Sequence, residues 1–193
     1  MTSRRRLLDI YEGVQRRTDA TLRAHPWWPC RRGCDLCCRR LADVPRVTSE
    51  EWALLREGIE GLPQPLRAEV DGRLALLAAR PPDAGEHVVC PLLDESDGAC
   101  RLYAYRPATC RTYGFYVERE HTLGCATVLE ASAASGESEA IVWGNEEGVR
   151  HALATLSGEA LPLTEWLVVD PPASSSDPVD GGAGPSPSPS SSM

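Results

Sequence analysis

Four cysteines fall within nine residues, Cys30-Arg-Arg-Gly-Cys34-Asp-Leu-Cys37-Cys38, and Cys90, Cys100 and Cys110 follow at ten-residue steps, with Cys125 beyond them. Eight thiols in 193 residues is too small a share for a disulfide scaffold, where cysteine exceeds roughly 8–10%. Three arrangements compete to explain the grouping. Disulfides need an oxidising compartment that the N-terminus does not suggest, and adjacent Cys37-Cys38 is poorly shaped for ordinary bridging. Inert burial suits a single position such as Cys125 but not the run from 30 to 38. Ligation of a metal ion or an iron–sulfur core accounts for the grouping, the spacing and the compartment together. A helix over 30–38 would place all four sulfurs within about 100° of arc. A tight knuckle would instead use Cys34-Asp-Leu-Cys37 as a C-x2-C grip.

Charge supports an anionic centre. All twenty basic residues are Arg, which excludes a Schiff-base lysine, a P-loop lysine and a lysine base. Residues 1–50 hold 11 Arg against 6 acids, residues 51–120 hold 8 against 12, and residues 121–193 hold 1 against 10. A net charge of −8 repels phosphate backbones and anionic lipid, so neither nucleic acid nor a membrane is an expected partner. Arg31, Arg32, Arg39, Arg40, Arg101 and Arg111 each sit within two residues of a cysteine. Four thiolates around Zn²⁺, or around an oxidised four-iron core, leave a charge of about −2. A nearby guanidinium favours thiolate over thiol and donates hydrogen bonds to sulfur.

Apolar periodicity predicts a mainly α chain with a small β-hairpin, an α+β class. Residues 4–24 carry Leu7, Tyr11, Val14, Thr18 and Leu22 at helical spacing, and His25-Pro26 ends the run. Thr48 with Glu51 fits a capping box ahead of Trp52, Leu55 and Ile59. A third helix spans about 65–79 on a stripe of Leu66, Val70, Leu74 and Leu77. Val88-Val89-Cys90 and Cys100-Arg101-Leu102-Tyr103 flank Asp94-Glu95-Ser96-Asp97-Gly98, which reads as a hairpin turning at Gly98 and bringing Cys90 beside Cys100. Arg106-Pro107 starts a short helix bearing Cys110, and Asn145 to Gly158 brackets another. Leu161 to Val169 closes the core as a strand or a last helical turn. Residues 1–170 therefore form one cysteine-cluster metal-binding domain. The last 23 residues, 171–193, contain 6 Pro, 8 Ser and 3 Gly and are expected to be a disordered tail.

The residues Cys30-Arg-Arg-Gly-Cys34-Asp-Leu-Cys37-Cys38, Cys90-Pro91-Leu92-Leu93, Gly98-Ala-Cys100-Arg-Leu-Tyr103 and Arg106-Pro107-Ala-Thr-Cys110-Arg111 resemble the YkgJ-type cysteine-cluster proteins. The resemblance spans about residues 30–111. It implies a zinc- or iron-chelating domain, of a kind often labelled an iron–sulfur oxidoreductase. The family motif is C-x2-C-x2-C-C, whereas the first gap here is three residues, so Cys30 departs from the pattern. A flagellin lysine methylase group shares the cluster, which implies that the module supports chemistry.

All eight cysteines, Cys30, Cys34, Cys37, Cys38, Cys90, Cys100, Cys110 and Cys125, are candidate metal ligands. One four-thiolate site drawing two from each half is one arrangement. Two centres with eight ligands, or with seven plus His87 or His121, are others. Sulfur ligation suits both metals. The surplus over four thiols favours an iron–sulfur cluster or iron, with zinc in a non-catalytic adaptor module as the alternative. Pro91 biases Cys90 toward an extended backbone, and Tyr103 packs or donates to sulfur. Trp27-Trp28 covers the site or packs in the core. The acidic trio Asp94, Glu95 and Asp97 reads as turn chemistry. No dinucleotide, P-loop, H-E-x-x-H or nucleophile-elbow motif is present, so no catalytic residue is named. The N-terminus begins with a basic run that Asp9 and Glu12 interrupt, and no stretch approaches the ~18 apolar residues of a span. The expected location is cytoplasmic.

Overall fold

The computed structural model describes residues 2–41, 43–80, 87–118, 121–122 and 126–171. The expected tail from 172 onward, and Cys125, lie outside them. Eight α-helices occur among the described residues: α1 (Ser3–Ala24), α2 (Leu36–Arg39), α3 (Ser49–Glu60), α4 (Gln64–Ala78), α5 (Ala108–Thr112), α6 (Ala126–Ser135), α7 (Glu146–Ser157) and α8 (Leu163–Val169). Seven short strands join them: β1 (Arg46–Val47), β2 (Leu93–Asp94), β3 (Ala99–Cys100), β4 (Tyr116–Glu118), β5 (His121–Thr122), β6 (Gly144–Asn145) and β7 (Leu161–Pro162). The class is mainly helical with small β elements. No helix among the described residues is long and apolar enough to cross a membrane.

The long helices stand where periodicity places them. The stripe of α1 buries Leu7, Tyr11, Val14 and Thr18, and the backbone N–H of His25 donates to Thr21 O at its end. In α4 Val70, Leu74 and Leu77 are buried, whereas Leu66 is exposed, because only the inward third of the helix meets α3 and α8. The Asn145 side chain caps α7 by accepting from the Gly148 N–H at 3.2 Å, and Gly158 ends it at φ 83°. Both readings of 161–169 hold in part. Leu161–Pro162 pairs antiparallel with β1, and α8 follows, latched by Trp166 Nε1–H donating to Val47 O at 2.8 Å and by Trp52 Nε1–H donating to Asp170 O.

Of the two arrangements open for residues 30–38, the single helix is not the one found. These residues form a turn closed by the Cys34 N–H on Arg31 O, with Gly33 at φ 91°, and then the single helical turn α2. The left-handed glycine breaks the period, so the four sulfurs do not share one stripe. The hairpin is also shorter and differently paired than predicted. Leu93 pairs with Cys100 and Asp94 with Ala99, around Gly98 at φ 69°. Val88 forms its bridge with Leu41, and the Cys90 N–H donates to Cys38 O at 2.7 Å. Cys90 is thus tied to the first cluster rather than to Cys100. Helix α6 and the sheet β5-β4-β6 were not anticipated, since runs of two or three residues and an Ala/Ser-rich helix carry little periodic signal.

Three apolar clusters hold these pieces. Val47, Trp52, Leu55, Ile59, Val70, Leu74, Leu92, Leu102 and Leu163 form the first, with Cys90 and Cys100 packed against it. Trp28, Phe115, Tyr116, Val128 and Ile141 form the second, with Cys30 against it. Leu7, Tyr11, Leu54, Ala108 and Leu153 form the third. Its polar knot is Glu51, which is 3% exposed. One carboxylate oxygen accepts from the Thr48 N–H at 2.9 Å and the Thr48 hydroxyl at 3.0 Å. The other accepts from the Tyr11 hydroxyl at 3.1 Å and the Ala108 N–H at 2.8 Å. A single side chain therefore joins α1, the start of α3 and the start of α5.

Glu51→Ala leaves buried donors on all three elements unpaired, and we expect a loss of about 3 kcal/mol in stability, read as a lower denaturant midpoint. Gly98→Ala should also destabilise. Its Cβ meets Gly33 O at 2.8 Å, and the residue holds φ +69°. An unchanged melting temperature in that variant would contradict the close approach of the turn to the cysteine run.

Candidate metal centre

Four stretches of chain converge on one cavity of about 270 Å³. The first cluster contributes Cys34 from its turn and Cys37 and Cys38 from α2. The ladder beside it contributes Cys90, β3 contributes Cys100, and α5 contributes Cys110. Val47, Leu55, Leu92 and Leu163 supply apolar wall, so the thiols stand at the edge of the first core. The local reasons are specific. Pro91 is buried and follows Cys90, whose backbone is extended alongside Cys38. The N–H of Arg101 donates to Leu92 O at 2.8 Å, which holds Cys100 over the ladder. Helix α5 begins at Ala108, directly after Pro107, and its anchoring by Glu51 fixes where Cys110 stands.

Within this group the Sγ atoms of Cys37 and Cys38 are 4.0 Å apart. Two thiolates on one tetrahedral zinc, at about 2.3 Å each, stand roughly 3.8 Å from one another, so this pair already has the separation of shared ligands. Among the described residues, no group of three or more Cys, His, Asp or Glu is yet gathered closely enough to hold an ion. Six cysteines line the cavity. None of the seven described cysteines is in a disulfide, and all are part-buried.

The surroundings favour the protonated form at Cys37, Cys38, Cys100 and Cys110. The Cys37 thiol is raised, first by its hydrogen bond with Cys38 and then by burial. Cys38 is pushed up to about 12: the bond with Cys37 lowers it, but its contact with Cys90 and its burial outweigh that. Burial raises Cys100, against the lowering effect of the Arg106 and Arg32 charges. Burial also raises Cys110, helped by the neighbouring Cys100 and Cys38. A metal binding here must displace protons and supply the positive charge that stabilises the thiolates.

Cys30 faces another way. A Cβ on Gly114, which has φ 83°, would lie 2.7 Å from the Cys30 Sγ, so the glycine makes room for that sulfur beside the second core. Cys30 lines a second, adjoining pocket of about 280 Å³, of which Cys34, Cys37 and Cys110 are shared walls. His87 is exposed, while Cys125 and the ring of His121 fall outside the described residues. His25 is buried elsewhere, its Nδ1 2.8 Å from Glu137 Oε2, in an aromatic group with Trp27 and Trp28. Trp28 stacks on Phe115 at 5.6 Å between ring centroids, so the tryptophan pair packs in the core.

The arginines divide in two. Arg39 pairs with Asp35 and Glu95, and Arg101 pairs with Glu69 at 2.7 Å, so acids absorb two of the expected cations. Arg32 acts on the thiols as expected, joined by Arg106, which sequence proximity to a cysteine did not single out. The Arg106 guanidinium lies 3.5 Å and that of Arg32 5.3 Å from the Tyr103 ring centroid. Tyr103 therefore serves as a platform for cations. Arg111 lies over the Tyr11 ring at 4.3 Å and donates to the carbonyls of Arg106 and Ala104. Two of the acidic trio are turn chemistry, whereas Glu95 pairs with Arg39 and Arg73. Asp94 accepts from the Ser96 N–H and hydroxyl, and Asp97 accepts from the Ala99 N–H.

Comparison with known proteins agrees with this geometry. No curated protein and no solved structure matches the chain. A family model, CxxCxxCC, described as "Putative zinc- or iron-chelating domain", matches residues 29–128, a stretch that carries every cysteine of the chain. The chain belongs to this CxxCxxCC family of zinc- or iron-chelating domains.

Proposed function

We propose that the protein holds an iron–sulfur cluster or iron in the thiol-lined cavity, with Cys37, Cys38, Cys90, Cys100 and Cys110 as the ligand pool and Cys34 at its mouth. The observation that carries this reading is the convergence of six cysteines from four chain segments on one cavity. Thiolates are soft donors that suit iron–sulfur cores and zinc. Two features favour iron. The pool exceeds the four ligands of a closed zinc site, and about 270 Å³ far exceeds the space of one ion, since a water's share of liquid is only about 30 Å³. Bound there, an iron–sulfur core would supply electron transfer or Lewis acidity. Arg32 and Arg106 would balance its negative charge. Free thiols and an acidic chain accord with a reducing, cytoplasmic location and with no nucleic-acid partner.

A second reading is a structural zinc that stabilises a non-catalytic adaptor module, favoured by the 4.0 Å separation of the Cys37 and Cys38 sulfurs. Anaerobic purification followed by metal and sulfide analysis and a visible spectrum separates the two. Iron with sulfide and a broad visible absorption supports the first; a colourless protein with zinc supports the second. A metal-free protein that cannot be reconstituted with either would defeat both.

The ligand assignment has consequences for single variants and for pH. Cys37→Ser and Cys110→Ser should each lose most of the bound metal and melt at lower temperature, whereas Cys30→Ser, whose sulfur packs at Gly114, should keep it. Wild-type metal content in Cys37→Ser would remove the basis of the assignment. Removing residues 171–193 should change neither metal content nor melting temperature. Metal affinity should rise with pH, because raised thiols must give up protons on binding. For the metal-free protein the sign is opposite. Folded-state thiols raised from 9.0 to about 12, as at Cys38, hold protons that the unfolded chain releases, so stability is full below about pH 9 and declines from there toward pH 12. Denaturant titrations of metal-free protein at stepped pH read this directly.

A further inference from the structure

The second pocket adjoins the thiol cavity, shares Arg31 and Arg106 with it, and adds Arg32 and Arg111. Arg31, Arg32, Arg106 and Arg111 all line it, together with Tyr103 and Tyr113. Its one carboxylate among the described residues, Asp19, already accepts from Gln15 Nε2–H at 2.8 Å. None of the four arginines forms an ion pair with an acid among the described residues, whereas Arg4, Arg39, Arg56, Arg101 and Arg150 each do. Four like charges gathered on one concave wall repel one another, and in a chain of net charge −8 acids were not short in supply. A fixed anion relieves that repulsion.

The cations are also held in place. Arg106 is fixed over Tyr103 at 3.5 Å and by its Nε–H on Tyr103 O. Arg111 is fixed on Tyr11 and by two carbonyls. Those bonds leave further N–H donors on both guanidinium forks, which hold five each. A preset guanidinium loses little entropy on binding and matches the two oxygens of a carboxylate or phosphate. The pocket volume, about 280 Å³, lies at the lower end for ligand sites and suits a small molecule.

We infer that this arginine-lined pocket binds a small molecule through a carboxylate or phosphate group, and sets that molecule against the thiol cavity across the shared walls Cys34, Cys37 and Cys110. The inference goes beyond the metal reading and does not require it.

The test is calorimetric titration of the full-length protein in low-salt buffer, as isolated and again after chelator treatment, with inorganic phosphate and with succinate as separate probes. Saturable binding of either probe is expected, phosphate alone marking a phosphoryl ligand and succinate alone a carboxylate. Arg32→Gln should weaken it about tenfold, while Arg32→Lys, which keeps the charge, should retain much of it. Arg106→Gln should act in the same direction; because Arg32 is exposed, its variants decide the matter even if Arg106→Gln does not fold. Metal content, measured alongside, separates a loss of anion binding from a loss of the metal whose charge Arg32 and Arg106 balance. Binding that persists after chelator treatment shows that the anion site stands without the metal, whereas failure to reconstitute any metal would defeat the metal reading alone. The inference is overturned if neither probe saturates, if both glutamine variants bind like wild type, or if the variants lose metal while no probe binds, which would assign the arginines to the metal centre alone.

Discussion

The Glu51 carboxylate is the constraint on which the site rests. A buried carboxylate is tolerated only when donors replace the water it has lost, and here they come from Thr48, Tyr11 and Ala108. These belong to the start of α3, to α1 and to α5. Each helix separately buries an apolar stripe that tolerates sliding, but a carboxylate with fixed lone-pair directions does not. It sets the relative height of three helices at once. Because α5 carries Cys110, the same bonds decide whether that sulfur stands with the others.

A second set of constraints acts on the backbone. The cysteine run bends at Gly33 and meets the hairpin at Gly98 so closely that a Cβ there would touch the Gly33 carbonyl oxygen. The ladder from Cys38 to Leu41 against Val88 to Cys90 completes the junction. Thiols assembled this way share a half-apolar recess in which the neutral form is favoured. That chemistry suits a site completed by a cation. The thiolate state becomes favourable when an ion arrives and is disfavoured in its absence.

The arginines show how tertiary context reassigns charge. Arg39 and Arg101 are as close to cysteines in sequence as Arg32 is, yet they end in ion pairs with Asp35, Glu95 and Glu69. Arg106, four residues from Cys110, becomes a central cation because Tyr103 gives its guanidinium a surface to lie on. Proximity along the chain places a side chain's root, and the long flexible stem leaves its head free to choose a partner.

Much of this was legible in the sequence. The amphipathic runs of α1, α3 and α7 repeat over several turns, so their periods report their buried faces without knowledge of any partner. The Thr48–Glu51 box, the stop at Gly158 and the turn at Gly98 are local, and local chemistry determined them. The cysteine spacing likewise marked a sulfur-rich centre before any fold was known. Tertiary structure alone decided the rest. It paired Val88 with Leu41 and so joined Cys90 to Cys38, turned Cys30 toward Gly114, used the second oxygen of Glu51, and drew four arginines into one pocket. Those outcomes depend on contacts between segments far apart in the chain, whose register is set by packing and by buried hydrogen bonds that no local pattern encodes.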